Sequence, residues 1–186
     1  MSKLSKPLFT VRVVMLAAII TFSLGTSTIF AQDVAVGSAT ATVQAVLQVT
    51  ATAALAFGTV YQGIPTSIAN DNASAGIFTI GGQGGAGISI YMQLPDYLST
   101  ATGDDRMVVA FSSTDASVDS TANVDPTSFG SGWANTDPHN FPAATVVGLP
   151  GNQSAIFLGG KVIPSVDQAA GAYTADIVLT VAYNGS

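Results

Sequence analysis

The chain contains no cysteine and no glutamate, and its 186 residues include one histidine and one tryptophan. The lack of cysteine excludes disulfide bonds, a thiol nucleophile and a lipid-modified cysteine anchor, so packing and backbone pairing must hold the fold. A single histidine excludes zinc sites that need several histidine or cysteine ligands. Glutamate and lysine are common helix formers and are absent or scarce, whereas the abundant threonine, serine, valine, alanine and glycine suit strands and turns.

Positive charge is also scarce, and three of the five cations lie near the start of the chain: Lys3, Lys6 and Arg12. They are followed by an apolar run from Val13 to Leu24 and by small residues that end at Ala31. A basic start, a short apolar core and a small residue before a polar segment are typical of a secretory signal peptide. We therefore predict that residues 1–31 are a signal peptide cleaved after Ala31. The alternative, an uncleaved membrane anchor, requires about 20 apolar residues, more than the run contains.

The remaining residues, 32–186, are strongly acidic. Arg106 and Lys161 are their only cations, and they stand against eleven aspartates, which gives a net charge of −9. Such a surface disfavours nucleic acid and anionic membranes as partners, because it offers few groups that neutralise phosphate. The length suits one domain, and no second apolar run predicts a membrane span. We expect a secreted protein, extracellular or on the cell surface, that crosses a periplasm in transit.

The longest regular pattern runs from Ala39 to Phe57, where every odd position is apolar and most early even positions are threonine or glutamine. Alternation with a period of two is typical of a strand with one buried face. At about 3.3 Å per residue the stretch would span roughly 63 Å, whereas strands usually have about 3–10 residues. It is therefore two strands in series, or a strand preceded by an arm that leaves the domain. We assign residues 32–44 to this arm or first strand and residues 45–186 to the main domain.

Further apolar or alternating segments predict short strands at 77–80, 88–94, 107–111, 145–147, 154–163 with a break at Gly159-Gly160, and 172–184. No segment has the period of an amphipathic helix. Roughly eight strands separated by turns are typical of an antiparallel sandwich. We therefore predict an all-β, immunoglobulin-like fold, in which the irregular segment 112–153 is a long, partly packed connection.

Two segments resemble a known family. Residues 53–60, Ala-Ala-Leu-Ala-Phe-Gly-Thr-Val, resemble its signature of leucine, any residue, phenylalanine, glycine, threonine and valine. Residues 168–183 resemble its closing strand, and Gly159-Gly160 resembles the glycine pair that precedes that strand. The family is the bacterial domain of unknown function 4402, which is similar to the spore coat protein U group and, through it, to chaperone–usher pilins. The resemblance implies a secreted, pilin-like β-sandwich, such as a subunit of a fimbrium, with no known enzymatic role.

Few residues suggest chemistry. His139 lies in a turn sequence, Asp-Pro-His-Asn, and the chain has no Gly-x-Ser-x-Gly segment, so we expect neither a Ser-His-Asp triad nor enzymatic activity. We also predict no cofactor. Calcium takes six to eight oxygen ligands, and its weak candidates are four aspartates: Asp104, Asp105, Asp115 and Asp119. Their spacing matches no calcium loop of twelve residues, and surface charge that keeps the protein soluble explains them as well.

Two functions from different classes remain open. The first is a structural subunit that donates its N-terminal arm to the sheet edge of a neighbour, with further copies of the chain or an assembly chaperone as partners. Its subunit contacts would come from the arm and the closing strand: Val34, Val36, Ala39, Ala41, Val43 and Tyr183. The second is a monomeric extracellular module whose 112–153 loop binds calcium, or binds a glycan by stacking on Trp133.

Overall fold

The computed structural model describes residues 37–185 apart from 129, 131 and 150. The predictions for residues 1–31, Val34 and Val36 therefore lie outside the described residues. The chain divides into two compact units, residues 1–41 and 42–186. In the first unit, the described residues 37–41 are exposed and have no regular secondary structure.

The second unit is built from strands, and none of its described residues is helical. The strands are β1 (Gln48–Ala53), β2 (Thr66–Ile68), β3 (Gly76–Gly81), β4 (Ile88–Gln93), β5 (Tyr97–Ser99), β6 (Arg106–Ala110), β7 (Ala116–Asp119), β8 (Trp133–Thr136), β9 (Gln153–Leu158), β10 (Gly160–Ile163) and β11 (Val178–Tyr183). The prediction of an all-β, sandwich-like fold is confirmed. The part of the chain that the structure describes contains no helix long and apolar enough to cross a membrane.

All strand pairs are antiparallel and fall into three groups. One sheet has the order β1-β3-β9-β7-β8, a second has the order β2-β10-β6-β5, and β11 pairs with β4. The segment that forms β9 and β10 passes from the first sheet to the second at Gly159. A Cβ added at Gly159 would lie 2.7 Å from the Asn70 nitrogen, so glycine allows the close approach of two backbones here.

The segment that forms β9 and β10 runs between two ends of the domain, which we call the lower end and the upper end. The lower end contains residues 81–85, 147–149, 151 and 152, next to the start of β9, and the upper end contains residues 61–65 and 164–168, beyond the end of β10. Ten residue steps separate Gln153 from Ile163, so at about 3.3 Å per step the two ends lie at most roughly 33 Å apart.

The first sheet is packed on both faces. Its inner face carries the main core, whose fully buried members include Ile80, Ile156 and Leu158. Its outer face carries a smaller cluster in which Trp133 stacks on Phe157, with ring centroids 4.9 Å apart and 19° between the ring planes. The tryptophan predicted as a possible glycan platform is therefore part of the packing of this face.

The alternation predicted for residues 39–57 changes face within β1. The register shifts between Ala51 and Ala53, and Ala53 packs in the outer cluster while Leu47 and Leu55 pack against the main core. The bulge turns Ala53 to the outer face, and Leu55 faces the main core again two residues later, so a uniform alternation in sequence does not give a uniform face here.

Several strands differ in extent from the prediction. Segment 145–147 forms only one bridge, between Val146 and Gly87, and segment 172–184 becomes a strand only from Val178. The sequence pattern does not predict β2, β5, β7 or β8, because three or four residues give too little alternation to be recognised. Since β7 and β8 lie within 112–153, that connection is more regular than predicted.

Candidate functional site

A groove opens in the upper half of the domain between two segments that lie outside the named strands. The first wall is residues 54–62, which follow β1, and the second wall is residues 168–177, which precede β11. The groove has a volume of about 910 Å³, near the upper limit for pockets that hold small molecules. Its floor comes from β5, β6 and β10 and the residue after β6: Leu98, Met107, Val109, Phe111 and Val162.

The floor is apolar and well packed. Met107, Val109 and Val162 are buried and form a separate cluster, against which Phe57 and Val60 pack from the first wall. The groove therefore offers an apolar surface, with polar backbone along its two sides.

Most backbone groups of the two walls have no hydrogen-bond partner within the described chain. Ala56 N donates to Ser74 O at 3.0 Å, but residues 57–60 make no backbone hydrogen bond with any described residue. Thr174 exchanges two backbone bonds with Ser99, and residues 175–177 make none within the same part of the chain. Extended backbone with unpaired N–H and C=O groups is the template to which another strand adds.

A polar cluster of Asp105, Gln168 and Tyr173 fixes the upper part of the second wall. The Tyr173 hydroxyl lies 2.8 Å from Asp105 Oδ2, and Gln168 Nε2 donates to Asp105 Oδ1 at 3.1 Å and to the Tyr173 hydroxyl at 2.9 Å. The hydrogen bond from Tyr173, with others from the Ala169 and Arg106 N–H groups and the Gln168 amide, holds the pKa of Asp105 below its ordinary value. Burial, together with the Asp105 charge, raises the pKa of Tyr173.

The two walls meet at the upper end through the exposed side chain of Gln62, whose Nε2 donates to Gln168 O at 2.6 Å. Below this bridge the walls diverge into β1 and β11, which are neighbours but are not paired with each other. The gap between the first and last strands therefore continues downwards from the groove.

The structure separates the residues that the sequence predicts as subunit contacts. Ala39, Ala41 and Val43 are exposed, and Val43 is 92% exposed. Tyr183 does not line the groove, because β11 runs away from it and ends at the lower end. There the Tyr183 hydroxyl donates to Ala45 O at 2.7 Å and accepts from Gln83 N at 2.7 Å. Tyr183 thus holds the chain just after the arm, and the part of the closing segment that borders the groove is 168–177.

The four calcium candidates are not brought together. Asp105 belongs to the polar cluster, Asp115 Oδ2 accepts from Ser112 N at 2.7 Å, and Asp119 Oδ1 accepts from Thr121 N at 2.7 Å. Among the described residues, no group of three or more histidine, cysteine, aspartate or glutamate side chains is placed to hold a metal ion, Asp104 included. In the 112–153 segment, Asp115 and Asp119 serve as acceptors that fix turns.

His139 lies in the predicted turn, closed by a bridge between Asp137 and Asn140. Its Nδ1 lies 3.2 Å from Asp137 Oδ1, and both side chains are well exposed to solvent. In the described chain no serine hydroxyl bonds to either ring nitrogen, so the arrangement lacks the nucleophile of a Ser-His-Asp triad there.

No family model, curated protein or solved structure matches this chain. The resemblance based on residues 53–60 and 168–183 therefore stays a prediction. Those two segments overlap the two walls of the groove, so they mark its position in the sequence. The sequence gives no sign that their backbones are unpaired, because pairing depends on the neighbours that the fold supplies.

Proposed function

We propose that the protein is a secreted structural subunit of the cell surface that polymerises by strand donation. Residues 32–44 of one copy add to the groove between residues 54–62 and 168–177 of the next. The observation that carries this proposal is the pair of walls with largely unpaired backbone above an apolar floor. An added strand supplies backbone partners to both walls and places alternate side chains on the floor.

The arm is long enough to cover the groove. Fully extended, the nine residues of the first wall would span roughly 26 Å at about 3.3 Å per step, and the left-handed φ of 66° at Gly58 makes the wall shorter than this. A strand from Val34 to Val43 has ten residues and spans roughly 30 Å. Val34 and Val36 lie in the opposite phase from Ala39, Ala41 and Val43, so the five side chains share one face only if the strand is shifted by one residue near Gly37, as in a β-bulge.

Backbone pairing decides the stability of this complex. Burying five small apolar side chains contributes about 5–8 kcal/mol, and ordering about ten residues costs at least about 10 kcal/mol. The cost therefore exceeds the gain by at least about 2 kcal/mol. Hydrogen bonds to the walls, each worth about 0.5–1.5 kcal/mol net, then give the favourable balance.

Export is part of the proposal and is supported by the sequence of residues 1–31, with its basic start and short apolar run. A subunit held by backbone pairing rather than by disulfide bonds also agrees with the lack of cysteine.

The test uses the chain that starts at residue 32. We expect it to form ladders of oligomers that resist SDS, and we expect deletion of residues 32–43 to leave a monomer. A synthetic peptide of residues 32–44 should bind this shortened chain and not its Ala56→Trp variant, whose new side chain fills the groove.

The matched control is Ala110→Trp, because Ala110 is exposed on β6 and does not line the groove. This variant should bind the peptide as the parent chain does. If the shortened chain assembles as before, or if the peptide fails to bind it, strand donation to this groove is wrong. A monomer that binds calcium or a glycan through 112–153 would instead support the second hypothesis.

A further inference from the structure

The point at which the arm leaves the domain lies far from the upper end of the groove. Tyr183 holds Ala45 O at the lower end, next to Gln83. The groove ends in the upper half, where Gln62 donates to Gln168 O. These ends are separated by up to roughly 33 Å, so Ala45, the residue just after the arm, is held at the end of the domain opposite the upper end of the groove.

The upper end carries an exposed apolar patch beside the groove. Tyr61, Ile64 and Val166, the upper-end patch, are 67%, 59% and 84% exposed. A bond from Gly63 N to Ser165 O at 2.9 Å joins the two loops that carry them. Single exposed apolar residues are common, but three on two joined loops are a local concentration of the kind that marks a contact site.

The lower end carries a second apolar patch, beside the base of the arm. Val46 and Leu149, the lower-end patch, are 88% and 60% exposed. The glycine-rich loop 81–85 packs closely against the turn that carries Leu149, because a Cβ added at Gly84 would overlap Leu149 and Asn152. The leucine is therefore presented by a packed turn.

Charge favours these two ends as mutual partners. The mature chain has two cations against eleven aspartates, so copies repel one another wherever acidic surfaces approach. Residues 81–87 and 147–153 at the lower end and residues 57–65 at the upper end contain no charged side chain. Asp167, beside Val166, would face an uncharged loop rather than another carboxylate.

We propose that the lower-end patch of one copy docks on the upper-end patch of the next, so that the donated arm enters the neighbouring groove from above. This inference rests on the proposed strand donation and adds a second contact between the same two copies. The groove is open to solvent along its side, and the arm replaces the single Gln62 bridge at its upper end. A contact between two different surfaces repeats from copy to copy, and it gives an open head-to-tail chain when the rotation between copies does not close a ring.

The test changes the patches and leaves the groove and arm intact. Val166→Asp and Leu149→Asp each place a carboxylate in the contact, and we expect each to shorten the polymers of the chain from residue 32 by about tenfold in sedimentation, since desolvating an unpaired charge is costly. The double variant Val166→Lys with Leu149→Asp pairs opposite charges at every contact and should recover most of the length. Val108→Asp, at a 41% exposed position on β6 outside both patches, is the matched control.

Peptide binding separates the two proposals. In the chain that lacks residues 32–43, Val166→Asp and Leu149→Asp should bind the 32–44 peptide within about twofold of the parent. Shortened polymers with intact peptide binding support the end-to-end contact. Polymers of parental length in both single variants would overturn the end-to-end contact. Polymers of the double variant that are no longer than those of the more affected single variant would also overturn it. Failure of the peptide to bind the parent chain would instead count against strand donation itself.

Discussion

Replacement of Trp133 by alanine should destabilise the domain without removing a binding site. The indole stacks on the fully buried Phe157 and covers the outer face of the first sheet. Truncation of a buried aromatic residue to alanine costs about 3–5 kcal/mol. Because Trp133 is only half-buried, we expect about 2–3 kcal/mol, of which about 0.5–1.5 kcal/mol is the ring pair itself.

Thermal and urea unfolding followed by circular dichroism measure this effect. For a domain of this size each kcal/mol lowers Tm by about 2–4 °C, so Trp133→Ala should unfold about 4–12 °C below the parent. Trp133→Phe keeps a ring on Phe157 and should lose less than about 1.5 kcal/mol. A Trp133→Ala variant within about 0.5 kcal/mol of the parent, a change typical of surface positions, would refute the reasoning. The ring would then be available for a glycan, as the second hypothesis requires.

Two further predictions concern the polar cluster and the passage between the sheets. Hydrogen bonds lower the pKa of Asp105 from its ordinary value of 3.8, so its contribution to the free energy of unfolding is fully present above that pH and is lost as the pH falls through the folded-state pKa. Between pH 5 and pH 2 the free energy of unfolding should therefore fall less steeply for Asp105→Asn than for the parent. Equal slopes for the two proteins would contradict this. Gly159→Ala places a Cβ 2.7 Å from Asn70 N and 2.8 Å from Ala69 C, backbone atoms that cannot turn aside, so it should cost about 3 kcal/mol. Gly171→Ala, whose Cβ would lie 3.9 Å from Thr100 Cγ2, is the control, and equal unfolding midpoints for the two variants would contradict the steric argument.

The class of the fold follows from the sequence because alternation and composition are local properties. The cores of β3, β4, β6, β9 and β11 are all recognisable from their apolar patterns. The break at Gly159 is also visible, although its meaning is not: the glycine lets one segment pass between two sheets. The change of face at Ala53 results from the register shift that pairs Ala53 with Ile77, and the alternation in sequence does not predict this register.

The candidate site is less predictable from the sequence, because it is defined by backbone groups without hydrogen-bond partners in the described chain. Residues 54–60 and 172–177 continue the patterns of β1 and β11, and a reader of the sequence extends both strands through them. Only the fold shows that none of the described strands lies between these two segments. Tyr183 illustrates the same limit: the strand is correctly predicted, but its direction carries this residue to the lower end, away from the groove.

The exposed edges of this fold are not equally protected. Sheet edges are usually blunted by short strands, charge or proline, and β2 and β5 have three residues each, while Pro95 comes just before β5. The first wall has no such device: residues 54–62 contain neither a charge nor a proline, and the second wall has only Asp176 along residues 168–177. Two facing edges without protection, set above a buried apolar floor, form the kind of template that invites pairing with another chain. The occupant that we propose for this surface is residues 32–44 of a neighbouring copy, a segment with apolar residues at alternate positions that every copy carries.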